Sequence, residues 1–214
     1  MDFIYERFWL PNGIKIEEVT GGSHYKGKVW QQIARQIYCE NGKDGFRDIG
    51  HFQSGAPFIY GAEEKISISH TDGMLAVATI PVETDNNLSV FSLETALGID
   101  VEKKDREKVL KLRERFLSEE ELKLIPSDSL EAGITAWTCK EAMLKAGMNP
   151  TIDWHHDIII IALPTPDSPG EGYIYLDSHK YKLTLIAIHS EDHIICVATS
   201  KPAGKRRLTF NSAQ

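Results

Sequence analysis

The sequence predicts an α+β chain, and three observations carry the prediction. Residues 66–70 alternate Ile-Ser-Ile-Ser-His, and a Thr-Asp-Gly turn separates them from an apolar run at 74–80, which is the pattern of a β-hairpin. Beyond residue 95 a strand, three helical stretches and four further strands follow one another. Finally, SHTDG-MLAVAT, ending at Thr79, echoes IHSEDHIICVAT, ending at Thr199; both place a His at a strand end, then a turn, then a strand. The echo reads either as two unrelated hairpins or as two related halves split near residue 95.

In the N-terminal third, Gly21-Gly22 and the GKDG at 42–45 are turn signals. Between them, Val29, Trp30, Ile33 and Ile37 have helical spacing over 29–38. SGAP at 54–57 is a turn, and 58–60 is a short strand. After the hairpin, the polar residues 85–87 form a loop. A strand at 97–101 comes next, then a helix over 107–117 with apolar Val109, Leu112 and Phe116. Ser118 followed by Glu119, Glu120 and Glu121 is a capped helix start. A further helix covers 134–148 and is ended by Gly147, Asn149 and Pro150. Strands are expected at 158–163, 172–176, 182–187 and 194–199, and the tail from Lys201 is polar and frayed.

With 214 residues, 42% hydrophobic and 26% charged, the chain can bury a core without disulfides or a structural metal. A formal net charge of -7 argues against a general nucleic-acid binder, because phosphate contacts need a basic surface. No apolar run reaches the ~18 residues of a membrane span. Asp2 and Glu6 stand where a signal peptide would be basic or apolar. Cys39, Cys139 and Cys196 are an odd, scattered trio that fits neither a paired framework nor a zinc ligand set. The expectation is a cytoplasmic protein with no membrane or nucleic-acid partner.

The chemistry starts at LGIDVE, residues 97–102. Side chains alternate along a strand, so Asp100 and Glu102 share one face and repel each other unless a cation or water screens them. They are either a solvated strand face or, beside a closed cleft, a hard-cation site suited to magnesium. In the 134–148 helix, Ile134, Trp137, Leu144 and Met148 form an apolar stripe at ~100° per residue, and Glu141 and Lys145 lie within the same arc. An unpartnered charge drawn toward the interior is costly. The pair is either a buried structural salt bridge or functional, with Glu141 as a third oxygen ligand and Lys145 holding a phosphate oxygen. Lys140 points off the stripe, as a surface residue. His70, at a strand end before turn amides, is either structural or part of an anion site.

These residues carry a resemblance. Gly98-Ile99-Asp100-Val101-Glu102, then Arg115-Phe116-Leu117-Ser118-Glu119 with Glu121, then Trp137-Thr138-Cys139-Lys140-Glu141-Ala142 with Lys145, resemble in order and spacing the signature of the 4′-phosphopantetheinyl transferases. SISHT at 67–71 matches an upstream element of that family. GAP at 55–57, followed by Phe58, sits where the family often has G-[KR]-P, so Ala56 stands in the place of a basic residue that meets the nucleotide. Lys26, Lys28, Arg35 and Arg47 are candidates, by charge alone, for the family's basic N-terminal helix.

The resemblance implies the monomeric, two-lobed type, similar to the surfactin-synthetase activator. Each lobe would be a small antiparallel sheet packed with helices, with the active site between them. Residues 1–95 would form the lobe that contacts coenzyme A, 96–200 the lobe with the metal and catalytic motifs, and 201–214 a tail. Asp100, Glu102 and Glu141 would hold Mg²⁺, Glu141 would help deprotonate a carrier-protein serine, and Lys145 would steady the β-phosphate and leaving group. Ser69 and His70 would contact coenzyme A phosphates. The products would be a holo acyl or peptidyl carrier protein and adenosine 3′,5′-bisphosphate.

Such carriers are acidic, and seven basic residues against three acidic ones over 103–115 would steer one locally. Asp153-Trp154-His155-His156-Asp157 imitates a metal motif but reads as a loop before an apolar strand. Two other readings remain, a non-catalytic relative that docks carrier proteins and a metal-dependent nucleotide phosphoesterase.

Overall fold

A computed structural model describes residues 4–10, 12–21, 48–82, 93–149 and 151–201. The helical stretch at 29–38, the turn at 42–45, Gly22, Cys39, the loop at 85–87, the tail beyond 201 and the basic candidates Lys26, Lys28, Arg35 and Arg47 lie outside them.

The first sheet is antiparallel, in the order β1-β2-β6-β5. Its strands are β1 (Ile4–Trp9), β2 (Lys15–Thr20), β5 (Glu64–Thr71) and β6 (Met74–Pro81). The β5–β6 hairpin is the one expected, closed at Gly73 with φ +81°, and Ser69 faces Ala76 across it. β1 and β2 were not expected from the sequence. They pair from Ile4 opposite Thr20 to Trp9 opposite Lys15, around a turn in which Gly13 takes φ +82°. Asn12-Gly13 is the turn signal that could have revealed them. The adjacent charges Glu17 and Glu18 put a carboxylate on each face of β2, both buried, and erase the alternation that marks a strand. A short pair, β3 (Ile49–His51) and β4 (Pro57–Ile59), stands beside β5.

The second sheet has the order β7-β11-β10-β9-β8. It comprises β7 (Leu97–Lys103), β8 (Ile158–Ala162), β9 (Gly170–Leu176), β10 (His179–His189) and β11 (His193–Thr199). All five were expected, though β10 runs longer at both ends. Between β7 and β8 come helices α1 (Lys108–Phe116), α2 (Glu119–Leu124) and α3 (Leu130–Gly147). α2 has the capping box read from the sequence: Glu121 N–H donates to Ser118 Oγ at 3.3 Å, and Ser118 N–H donates to Glu121 Oε2 at 2.8 Å. α3 starts four residues before the expected 134, because Ser129 caps it through Ala132 N–H at 3.2 Å.

This is an α+β architecture of antiparallel sheets with few helices. α3 packs on one face of the second sheet, and its buried side chains, from Ile134 to Ala146, form a core with Ile158, Leu183 and Ile194. The opposite face of β7 and β11 meets the first sheet: Ile99, Val101, Ile195 and Val197 pack against Ile16, Met74, Ala78 and Ile80. Edge strands β5 and β7 come together here, and Ile99 N–H on β7 donates to Ser67 Oγ on β5 at 3.0 Å. Cys139 and Cys196 are free and buried, with Sγ atoms 3.1 Å apart; the scattered spacing of the cysteines gave no sign of this contact. No helix among the described residues is long and apolar enough to cross a membrane.

Candidate active site

β7 alternates as its strand period requires. Ile99 and Val101 enter the core between the sheets, and Asp100 and Glu102 lie on the side of α3. Gly98 allows α3 to come this close. A Cβ built there would sit 1.9 Å from the Ala142 carbonyl oxygen and 2.6 Å from Ala146 N, so any side chain forces the helix off the strand.

At this contact Lys145 Nζ on α3 donates to Asp100 Oδ1 at 2.8 Å and to the Ile99 carbonyl oxygen at 3.1 Å. Ser69 Oγ on β5 donates to the same Asp100 Oδ1 at 2.7 Å. Asp100 is 5% exposed, and its Oδ2 is buried with no hydrogen-bond partner. Glu102 Oε1 accepts from Trp137 Nε1 at 2.9 Å and is ion-paired with Arg106, whose guanidinium lies 5.1 Å above the Trp137 ring.

Glu141 lies half-buried one turn before Lys145. Burial, then the negative charge of Asp100, pushes its pKa up, partly offset by Lys145 and Arg106. His70, at the end of β5, has its pKa lowered by desolvation and by Lys145 against the pull of Asp100.

Ser69, His70, Asp100, Glu102, Glu141 and Lys145 line one cavity of about 600 Å³. Glu141 and Lys145 also border a second cavity of about 470 Å³. Ser69, His70, Asp100, Glu102, Glu141 and Lys145, far apart in the sequence, therefore reach one place. They do not form a preassembled metal cluster: among the described residues no three His, Cys, Asp or Glu side chains are grouped to hold an ion. The donor chemistry nevertheless fits a hard cation. All the donors are carboxylate oxygens, and the unpartnered Oδ2 of Asp100 has an unmet need for a positive partner.

Three expectations need correction. Lys140 is no surface residue; its side chain is fully buried and pairs with Glu121. Of the expected apolar stripe of α3, Ile134 is fully buried, whereas Trp137, Leu144 and Met148 are half-buried along the cavities, and the fully buried side also takes in Thr138, Ala142 and Met143. The basic run at 103–115 is not a free positive surface. Arg113 is 6% exposed and donates to the Ile125 and Pro126 carbonyl oxygens, Lys104 Nζ donates to the Ser190 carbonyl oxygen at 2.6 Å, and Arg106 serves Glu102. Lys108, Lys111 and Arg115 remain exposed.

Residues 153–157 are a turn, as expected, in which Asp153 Oδ1 accepts from His155 N–H at 2.8 Å and His156 N–H at 2.9 Å. Sequence reasoning missed Arg106 and the indole N–H of Trp137 as partners of Glu102. The i,i+4 spacing of Glu102 and Arg106 spans a turn rather than a helix and carries no local signal.

No curated protein matches this chain. Residues 96–198 match the family model described as the 4′-phosphopantetheinyl transferase superfamily. The match holds β7, all three helices and β8 through β11, with Asp100, Glu102, Glu141 and Lys145; Ser69 and His70 stand outside it. A 4′-phosphopantetheinyl transferase superfamily domain is thus found at residues 96–198.

Proposed function

We propose that the protein transfers 4′-phosphopantetheine from coenzyme A to a serine of an acyl or peptidyl carrier protein, as a holo-carrier synthase. The observation that carries this reading is the meeting of Asp100, Glu141 and Lys145 in one cavity beside Ser69 and His70. On this reading, residues 1–95 and 96–200 are two similar lobes with the site between them, 201–214 is a tail, and the protein acts as a cytoplasmic monomer of the surfactin-synthetase-activator type.

The serine oxygen forms a bond to the β-phosphorus of the diphosphate, and the bridging P–O bond to the adenosine side breaks. The leaving group is adenosine 3′,5′-bisphosphate. Glu141 takes the serine proton, directly or through water; its raised pKa makes it a stronger base than a solvated carboxylate. Lys145 meets the β-phosphate and the charge that grows on the leaving oxygen. The His70 ring N–H donates to a diphosphate oxygen, and Ser69 Oγ turns its single proton from Asp100 Oδ1 to do the same when the substrate binds. Asp100, Glu102 and Glu141 are the residues that would hold Mg²⁺, which when bound neutralises diphosphate charge.

The test is mass spectrometry of apo carrier proteins after incubation with coenzyme A and Mg²⁺. A gain of one phosphopantetheine is expected, and Glu141→Gln should abolish it while the fold is kept. Unchanged transfer by Glu141→Gln refutes the assignment. Carrier binding without coenzyme A binding would identify a docking protein instead, and hydrolysis without an acceptor a phosphoesterase.

A further inference from the structure

Asp100 and Glu102 share one side of β7 and repel each other unless a cation screens them. In the folded chain each is screened by a side chain of the protein itself. Lys145 covers Asp100 at 2.8 Å, and Arg106 is ion-paired with Glu102. The transfer chemistry uses Lys145 and leaves Arg106 without a role.

Arg106 lines the acid cavity together with Asp100, Glu102 and Glu141. Burial and Asp100 raise the Glu141 pKa, and the Arg106 charge offsets part of that rise, so its field reaches both Glu102 and Glu141. The guanidinium rests over the Trp137 ring, 5.1 Å from its centroid, and the indole N–H of the same residue donates to Glu102 Oε1 at 2.9 Å. Trp137 thus seats both members of the pair. A guanidinium keeps its charge across the physiological pH range and stacks on an aromatic face, so it can replace a metal ion as the screening charge.

The same guanidinium is free to leave. Arg106 lies in the turn between β7 and α1, outside any strand or helix, and its side chain keeps 35% of its surface in water. A partly exposed ion pair of this kind costs little to break. Arg113, in the same basic run, is held differently: it is 6% exposed and donates to the carbonyl oxygens of Ile125 and Pro126.

We propose that Arg106 is the resident cation of the acid cavity and sets the affinity of the site for divalent ions: its guanidinium covers Glu102 in the free protein and must swing away before that carboxylate can serve as a ligand. The proposal rests on the transferase reading for the metal site itself. An Arg106 that merely held Glu102 in place for the ion would act with the opposite sign.

The experiment titrates Mn²⁺, as a paramagnetic substitute for Mg²⁺, into wild type, Arg106→Gln and Arg106→Lys without substrate, and reads the free ion by electron paramagnetic resonance. Removing one positive charge beside the carboxylates should tighten Mn²⁺ binding about 10-fold or more in Arg106→Gln. Arg106→Lys, which keeps the charge, should bind like wild type. In wild type, Mg²⁺ should speed the modification of Arg106 by phenylglyoxal, read by peptide mass, and this measurement stands even where Arg106→Gln does not fold. Equal or weaker Mn²⁺ binding by folded Arg106→Gln, the same gain in Arg106→Lys, no uptake by any of the three at millimolar Mn²⁺, or labelling that Mg²⁺ leaves unchanged or slows overturns the proposal. Tighter binding in Arg106→Gln without transfer to any carrier would sink the transferase reading alone.

Discussion

Lys140 Nζ and Glu121 Oε2 stand 2.8 Å apart, and neither side chain has any exposed surface. The pair ties three elements together. Lys140 also donates to the Trp154 carbonyl oxygen at 2.7 Å and to that of Ile158, and Glu121 Oε1 accepts from Ile160 N–H at 2.6 Å. Burial pulls the Lys140 pKa down, and the Glu121 carboxylate pulls it back up. With Lys140 locked into the core, the next residue, Glu141, is turned ~100° around the helix axis, toward the cavities.

Removing one partner leaves a buried charge uncompensated. Lys140→Met should therefore lower unfolding free energy by about 3–5 kcal/mol, read from urea denaturation. A loss under about 1 kcal/mol would show that water reaches this pair.

Gly98→Ala tests the contact of α3 with β7. The added Cβ cannot share space with the Ala142 carbonyl, so the helix must move. Overpacking of this kind costs about 1–3 kcal/mol. The shift should also part Lys145 from Asp100 and slow transfer at temperatures where the variant is fully folded. Full turnover in a folded Gly98→Ala protein would contradict the positioning role.

Trp137→Phe keeps an aromatic ring against Phe116, 5.1 Å away between centroids, but removes the N–H that holds Glu102. Loss of a group that orients a ligating carboxylate weakens metal activation about 10–100-fold. A titration of transfer rate against Mg²⁺ reads this directly, and an unchanged half-saturation would exclude Glu102 from the ion's coordination.

Glu18 should make stability pH-dependent. It is 6% exposed, its Oε1 has no partner, and burial with help from Glu6 raises its pKa from 4.5 to about 7. A carboxyl that holds its proton more tightly when folded stabilises the fold below the unfolded pKa. That contribution declines as pH rises from about 4.5 and is gone above about 7. Its size is on the order of 3 kcal/mol. Glu18→Gln should flatten this part of the stability profile and raise stability at pH 8. Parallel wild-type and variant profiles would refute the assignment.

Legibility varied with how local the signal was. The β5–β6 hairpin, the Ser118 cap with Glu121, and the alternation of β7 are written within a few residues each. β1 and β2 were lost because Glu17 and Glu18 occupy both faces of one strand. At the site, Asp100, Glu141 and Lys145 were legible by type and spacing, and Ser69 by its place in SISHT. Ser67 was read only as part of SISHT, and its bond to the backbone of Ile99 was not foreseen, because nothing near it in sequence says which strand it will face.

The sequence by itself determined which segments become strands or helices over most of the chain beyond residue 60, and which acidic and basic residues were candidates for chemistry. Periods of two and 3.6 residues and cap residues act through neighbours along the chain, so they need no tertiary partner to be read. Only the tertiary structure decided that Lys140 is core rather than surface, that Arg113 is a buried donor, and that Glu102 belongs to Trp137 and Arg106. α3 packs against the second sheet at β7 and β11 and also against α1. Burial around such a helix is assigned by what stands beside each residue in space, and a linear pattern does not contain that information.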